Sequence, residues 1–329
     1  MKEILIQLFE HQSLNHTQAK RVLTEIGKGQ YNTSQIAVFL AAFQMRNITV
    51  DELKGFRDAL QELCLPVDLS DFDPIDLCGT GGDRKNTFNI STLASFVTAG
   101  AGIPVAKHGN YGVSSGSGSS NVMENLGYKF TNDVQILRKQ IEHSGICFLH
   151  APLFHPAMKF VAPIRKELGI KTFFNMLGPM VNPAKPTKQI VGVFSLEIAR
   201  IYNYLYQKSD VDYYIIYAMD GYDEISLTGD FKLISSRKEE ILSPGHLGLP
   251  KLNAKDIEGG STVKEASKIF VNVLNNKATM AQKQVVAANA AMAIKCARPE
   301  LSFEESVSVA IESIDSGRAL KSFTKLLEV

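Results

Sequence analysis

The chain has 329 residues, 45% of them hydrophobic, and its 35 Lys and Arg against 34 Asp and Glu leave a net charge of +1. That length buries a sizeable core in one large or two smaller domains, and the balanced charge excludes a global field for nucleic acid or an anionic membrane. No apolar run reaches the roughly 20 residues of a bilayer span, and Cys64, Cys78, Cys147 and Cys296 form no CxxC pair, which argues against a zinc site or disulfide framework.

Residues 1 to about 66 read as wholly helical. The opening MKEILIQLFEHQ is interrupted by Glu3, Gln7 and Glu10 and lacks a continuous signal-peptide core, so a cytoplasmic protein with reduced thiols and no membrane partner is expected. A helix over 33–46 carries Ile36, Phe39, Leu40 and Phe43 on one face and Ala37, Val38, Ala41, Ala42 and Met45 on the others. Such all-round apolarity asks for burial on two sides, either in a deep core or against a second subunit. Thr49 to Glu52 is a capping box opening a helix over 51–63, and Pro66 closes the segment.

From residue 74 onward short apolar runs alternate with helical patterns, the mark of a mainly parallel α/β sheet. Strands are expected over 75–78, 103–107, 145–149, 189–194 and 213–218, with a hairpin over 232–236 and 240–243. Helices are expected over 92–101, 121–126, 255–260, 262–274, 280–295 and 303–327. The fold class is therefore α/β: a small helical N-terminal domain over 1–70 and a larger α/β domain over 71–329 with a mainly parallel central sheet. The stretch 173–186, with Gly178, Pro179, Pro183 and Pro186, breaks the alternation, so part of 170–186 is expected either to rejoin the helical domain or to form a cleft wall.

Chemistry concentrates at the strand ends. Gly79-Thr80-Gly81-Gly82-Asp83 follows the first strand and leads through Lys85-Asn86-Thr87-Phe88-Asn89-Ile90-Ser91-Thr92 into a helix. Glycines there let the backbone approach a ligand, and the helix start offers unpaired N–H groups and a positive dipole end, which suits phosphate. It is neither a P-loop, lacking Lys after the last glycine, nor a G-x-G-x-x-G fingerprint. A second unit runs from Lys107-His108-Gly109-Asn110 through the Ser/Gly stretch 113–120 into another helix, with Lys107 as a point charge for phosphate. Two such units less than about 30 residues apart at the carboxyl ends of parallel strands form a ligand crevice for two phosphate groups. After the strand over 213–218 comes Asp220-Gly221-Tyr222-Asp223-Glu224, whose adjacent carboxylates suit Mg²⁺ beside that crevice. Arg165 offers a planar donor fork to a carboxylate, and Met158, Met176 and Met180 suit the walls of an aromatic slot.

The combination of GTGGD–NIST, KHGN, APIRKELG–NMLGPMVNPA and DGYDEISLTG, in this order, resembles the anthranilate phosphoribosyltransferase family over essentially the whole chain. The resemblance implies a helical domain hinged to an α/β domain, a homodimer through the helical part, and Mg²⁺ as cofactor. The implied reaction moves ribose 5-phosphate from phosphoribosyl diphosphate to the amine of anthranilate, in tryptophan biosynthesis. Carried over by position, Gly79, Gly82, Asp83, Thr87, Asn89, Ser91, Thr92, Lys107 and Ser119 hold the phosphoribosyl diphosphate. Ser91, Asp223 and Glu224 bind the metal. Gly79, His108, Asn110, His155, Arg165 and Gly178 line the anthranilate site, with Arg165 facing the carboxylate and His108 orienting the amine or relaying its proton.

Two positions depart from the family pattern: Tyr111 follows KHGN where Arg is usual, and Gly116 precedes Ser-Gly-Ser where Lys or Arg is usual. Either affinity for the donor falls, or another cation such as Arg84 or Lys85 compensates. Two rival functions stay open at this point. One is a pyrimidine nucleoside phosphorylase of the same fold, against which the adjacent Asp223 and Glu224 argue. The other is a non-catalytic relative that binds nucleic acid, against which the near-neutral charge argues.

Overall fold

The computed structural model describes residues 1–112 and 118–329. Residues 113–117, and with them the Gly116 departure and most of the Ser/Gly run, lie outside the described residues.

In chain order, α1 (Lys2–Phe9), α2 (His16–Gly27), α3 (Thr33–Ala42) and α4 (Val50–Leu63) precede β1 (Ile75–Gly79), α5 (Ile90–Gly100) and β2 (Val105–Gly109). Next come α6 (Ser119–Asn125), α7 (Val134–Ser144), β3 (Ile146–His150) and three short helices, α8 (Ala151–Phe154), α9 (Ala162–Leu168) and α10 (Phe174–Leu177). The chain then forms β4 (Lys188–Gly192), α11 (Leu196–Tyr206), β5 (Asp212–Ala218), β6 (Phe231–Ile234) and β7 (Glu239–Leu242). It closes with α12 (Val263–Leu274), α13 (Met280–Ala297), α14 (Phe303–Asp315) and α15 (Arg318–Leu327). Two compact units result: Met1–Val67 with Ala151–Pro183, and Asp68–His150 with Ala184–Val329.

In the helical unit, Asn15, Asn32 and Thr49 cap α2, α3 and α4, each in a reciprocal box with Gln18, Gln35 or Glu52. Those exchanges satisfy amide groups that a helix start would leave bare. The helix expected to run to residue 46 stops at Ala42. Arg46 donates to the carbonyl of Asn47 at 3.0 Å and pairs with the fully buried Glu52, and the chain leaves the helix to make that pair. Glu52 also accepts from the amides of Leu14 (2.8 Å) and Thr49 (2.9 Å), so a buried carboxylate is fully engaged.

The segment that rejoins the helical unit begins at Ala151, well before the 170–186 stretch expected from sequence. Aromatic packing holds it there. Phe173 stacks on Phe56 with centroids 4.4 Å apart and on Phe174 at 4.6 Å, while Phe43 meets Phe173 edge-on at 5.1 Å.

The α/β unit is built on a seven-stranded sheet in the order β3-β2-β1-β4-β5-β6-β7, parallel through β5 and antiparallel beyond it. Its core is the apolar cluster of sheet residues with α5 and α13, and α13 is buried from Val285 to Ile294. The single helix expected over 303–327 is two, because Gly317 adopts φ +74° between α14 and α15. The expected helix over 255–260 is only a 3₁₀ turn, Ala254–Ile257. Parallel order places the carboxyl ends of β1, β2 and β4 along one edge, and Gly79 pairs in register with Gly192 there.

Candidate functional site

At the end of β1 the backbone turns through Gly81 (φ +64°) and Gly82 (φ +81°), conformations that L side chains rarely adopt. Downstream, the amide of Gly259 donates to the carbonyl of Asn86 at 2.9 Å and Thr87 bridges Glu258, which pins the loop before it enters α5. Asn89 stands at the N-cap of α5, with Ser91 and Thr92 in its first turn.

The Asp223–Glu224 turn lies directly on this loop. Asp223 Oδ2 accepts from the amide of Gly81 at 2.7 Å, and Glu224 Oε1 accepts from the amide of Ser91 at 3.0 Å. Two glycines make the close approach possible. A Cβ on Gly79 would stand 2.7 Å from Asp223 Oδ2, and one on Gly192 only 1.5 Å from the Asp223 carbonyl oxygen. Asn289, midway along the apolar α13, fixes the turn from below: its Oδ1 accepts from Ile225 N at 3.0 Å and its Nδ2 donates to Ile225 O at 2.8 Å. Gly79, Ser91, Gly192, Asp223 and Glu224 share a small cavity of about 20 Å³.

The carboxylates are crowded and half-buried. Burial, reinforced by the charge of Asp83, pushes Asp223 up to about 7. Burial and then the charge of Asp223 push Glu224 up to about 8. Glu224 Oε2 is buried with no hydrogen-bond partner. An orphaned carboxylate oxygen between like charges is the environment that a hard divalent cation relieves. Among the described residues no group of three or more His, Cys, Asp or Glu is arranged to hold a metal by itself. One or two carboxylates completed by water and substrate phosphate are the usual complement for Mg²⁺.

The second loop is organised differently from the sequence expectation for Lys107. That side chain is buried, and its ammonium donates to the carbonyl of Leu77 at 2.5 Å, tying β2 to β1. Its neighbour His108 is also buried, and its backbone amide donates to Asp76 Oδ1 at 3.1 Å. The carbonyl of Asn110 accepts from Ser119 Oγ at 3.2 Å, and Asn121 Oδ1 gathers the amides of Gly112 and Gly118, each at 3.1 Å. Tyr111, where the resemblance leads one to expect a cation, donates its hydroxyl to Glu124 Oε1 at 2.6 Å and sets its ring edge-on to His150. Of the two replacement cations, Lys85 rests over the Tyr222 ring at 4.7 Å, and Arg84 takes a positive φ of +61°.

In the helical unit, Arg165 donates to Asn175 Oδ1 at 3.1 Å and lies over the Phe174 ring at 5.5 Å. No carboxylate among the described residues pairs with it, and its Nε is buried without a partner. His155 is buried, and burial drives its imidazole down to about 4, so it is neutral at physiological pH. Gly178 borders open space, with nothing within 4 Å of where a Cβ would be.

The structure thus gathers Gly79, Gly82, Asp83, Ser91, Asp223 and Glu224 in one cluster, and joins Asn110 to Ser119 through the second loop. His155, Arg165 and Gly178 belong to the helical unit. Sequence reasoning missed Gly192, Asn289 and Asp76. A lone glycine inside a strand pattern and a lone Asn inside an alanine-rich helix were available signals for the first two. Nothing local marked Asp76.

The chain matches the family models "Glycosyl transferase family, a/b domain" over residues 72–320 and "Glycosyl transferase family, helical bundle domain" over 2–64. It is 59% identical to an anthranilate phosphoribosyltransferase of Flavobacterium psychrophilum over 329 residues, covering 100% of this chain and 99% of that one. Among solved structures it is similar to anthranilate phosphoribosyltransferase from Thermus thermophilus, with TM-score 0.90, 30% identity and 99% of each chain covered. It is also similar to the Saccharomyces cerevisiae enzyme in complex with phosphoribosyl diphosphate and Mg, with TM-score 0.91, 28% identity, and 98% of this chain and 96% of that one covered.

Proposed function

The chain belongs to the anthranilate phosphoribosyltransferases of the glycosyl transferase family, and on that premise we propose how its own residues transfer ribose 5-phosphate from phosphoribosyl diphosphate to the amine of anthranilate. The step serves tryptophan biosynthesis. The observation that carries the assignment is Arg165, a guanidinium with a buried, unpartnered Nε and no carboxylate among the described residues to pair with it. A half-buried arginine without a counter-ion favours an anionic ligand, and its planar fork matches the anthranilate carboxylate.

The donor's diphosphate end is held by Gly79, Gly82, Asp83, Thr87, Asn89, Ser91 and Thr92, and its phosphate oxygens by Ser119 from the second loop. Lys107 contributes there only by leaving the carbonyl of Leu77. Ser91, Asp223 and Glu224 hold Mg²⁺, which when bound neutralises charge building on the departing diphosphate. As the amine attacks, an N–C1 bond forms while the C1–O bond to diphosphate breaks. The bonding electrons leave with diphosphate, and the nitrogen gives up a proton. No strong base is required, because an aryl amine is neutral and nucleophilic at physiological pH. The positive dipole end of α5 stabilises the leaving group as its charge develops, a fixed electrostatic contribution of the oxyanion-hole kind, while the Ser91 amide stays on Glu224. His108, Asn110, His155 and Gly178 position the anthranilate ring, and His108 orients the amine or takes its proton. Positioning of this kind lowers the entropic part of the barrier. The enzyme acts in the cytoplasm as a homodimer through its helical unit.

The decisive experiment follows anthranilate fluorescence on adding phosphoribosyl diphosphate, with and without Mg²⁺, for the wild type and Arg165→Ala. The wild type should consume anthranilate only with Mg²⁺. The variant should show a KM for anthranilate about 10- to 100-fold higher, the usual cost of losing a charge-assisted pair. An unchanged KM removes Arg165 from the site, and no consumption by folded wild type refutes the reaction.

A further inference from the structure

The α/β unit holds a second cavity, of about 470 Å³, at the opposite ends of the strands from the phosphate loops. Asp212, the first residue of β5, lines it, as does Arg237 in the turn joining β6 and β7. That turn lies toward the amino end of β5, because Ile234 pairs with Ile215 in the antiparallel register. The end of α13 and the start of α14 complete the wall. Its volume falls in the range of small-molecule sites, roughly 300 to 1,000 Å³.

The lining carries both signs of charge, so the informative question is which charges are already spent. Lys238 pairs with Glu240 at 2.8 Å. Lys295 donates to the carbonyl of Pro299 at 2.8 Å and to that of Leu301. Arg237 is left as a cation with no side-chain hydrogen bond or ion pair among the described residues, and Asp212 and Glu304 are left as carboxylates in the same condition. His246 Nδ1 accepts from the amide of Ser243 at 3.0 Å, which leaves Nε2 to carry the proton and donate. The rings of Tyr214 and Phe303 supply apolar wall between these groups.

We propose that this cavity binds an aromatic amino acid as its zwitterion, with the carboxylate on Arg237 and His246, the ammonium on Asp212 or Glu304, and the ring against Tyr214 and Phe303. The two free carboxylates repel a phosphate ester or an organic dianion, and a wholly apolar ligand would leave three charges desolvated. A zwitterion with an aromatic body meets both conditions. The site is also connected to the chemistry. Lys295 and Cys296 at the cavity lie on the helix whose Asn289 fixes the Asp223–Glu224 turn, about 9 Å away along α13 at 1.5 Å per residue.

The test is isothermal titration of the full-length protein with L-tryptophan, L-tyrosine and L-phenylalanine, and with tryptamine and N-acetyl-L-tryptophan as probes lacking one charge. At least one amino acid should bind, and removing either charge should weaken L-tryptophan-type binding about tenfold or more. Arg237→Ala should weaken the amino acid to a similar degree while leaving anthranilate consumption unchanged. No binding by any of the three at millimolar ligand overturns the proposal, as does equal binding by Arg237→Ala. Loss of binding at saturating anthranilate also overturns it, by moving the ligand to the substrate site. Anthranilate consumption is measured separately, so failure here leaves the transfer reaction intact.

Discussion

His155 and Arg165 show how one helical unit treats two basic side chains in opposite ways. Burial drives the His155 imidazole down to about 4, against a smaller upward pull from the backbone of Val181. Burial also lowers Arg165, yet a guanidinium stays protonated at any pH the protein meets. The helical unit therefore carries a fixed positive charge at Arg165 and a neutral imidazole at His155. This has a consequence for stability. The native state binds fewer protons at His155 than the unfolded chain, whose histidines titrate near 6.5, so stability is complete at neutral pH and declines as pH falls through 6.5 toward 4. Denaturant melts at pH 7 and pH 4.5 should show a smaller acid loss for His155→Gln than for wild type, by on the order of 2 kcal/mol. Identical losses would show that His155 is accessible to protons in the native state.

At the scale of elements, the Asp223–Glu224 turn depends on two strand ends and one helix. β1 and β4 finish in the register pair Gly79 and Gly192, and the Asp223–Glu224 turn rests on both. Gly192→Ala would place a Cβ 1.5 Å from the Asp223 carbonyl oxygen, so the turn must move bodily. Transfer should fall by at least about 100-fold in kcat/KM, since a misplacement of ~1 Å costs that much. Because the apolar core beneath is untouched, far-ultraviolet circular dichroism should stay native, and near wild-type turnover would show that the turn does not need its present seat. The sequence announced the GTGGD loop and the Asp-Glu pair because each carries its chemistry within a few residues. It did not announce Gly192 or Asn289, whose roles exist only through contacts with residues 31 and 64 positions away. The same reason explains the returning segment. Short helices such as α8 and α10, four residues each, carry too little periodicity to be seen, and Phe173 gains its meaning only against Phe56. Gly317 was visible in the sequence, but the apolar pattern on both sides of it read as one continuous helix.

For the whole molecule, the open question from sequence was what covers the second apolar side of α3. Among the described residues nothing covers it fully: Val38 is 40% exposed and Met45, just beyond the helix, 83%. Ile6 and Phe9 of the neighbouring α1, at 47% and 59%, extend the same kind of surface. A deep core in a monomer is therefore ruled out for this side, and exposed apolar surface of that kind marks an association site. Light scattering should give a mass near twice the 36.2 kDa of the chain. The double variant Phe9→Glu with Met45→Glu, which introduces like charges into the contact, should give the mass of one chain. Arg165, the phosphate loops and the Asp223–Glu224 turn all come from a single chain, so the monomeric variant should still consume anthranilate while melting at a lower temperature. A wild type that elutes as a monomer at micromolar concentration would leave this apolar face without a partner and remove the dimer from the account.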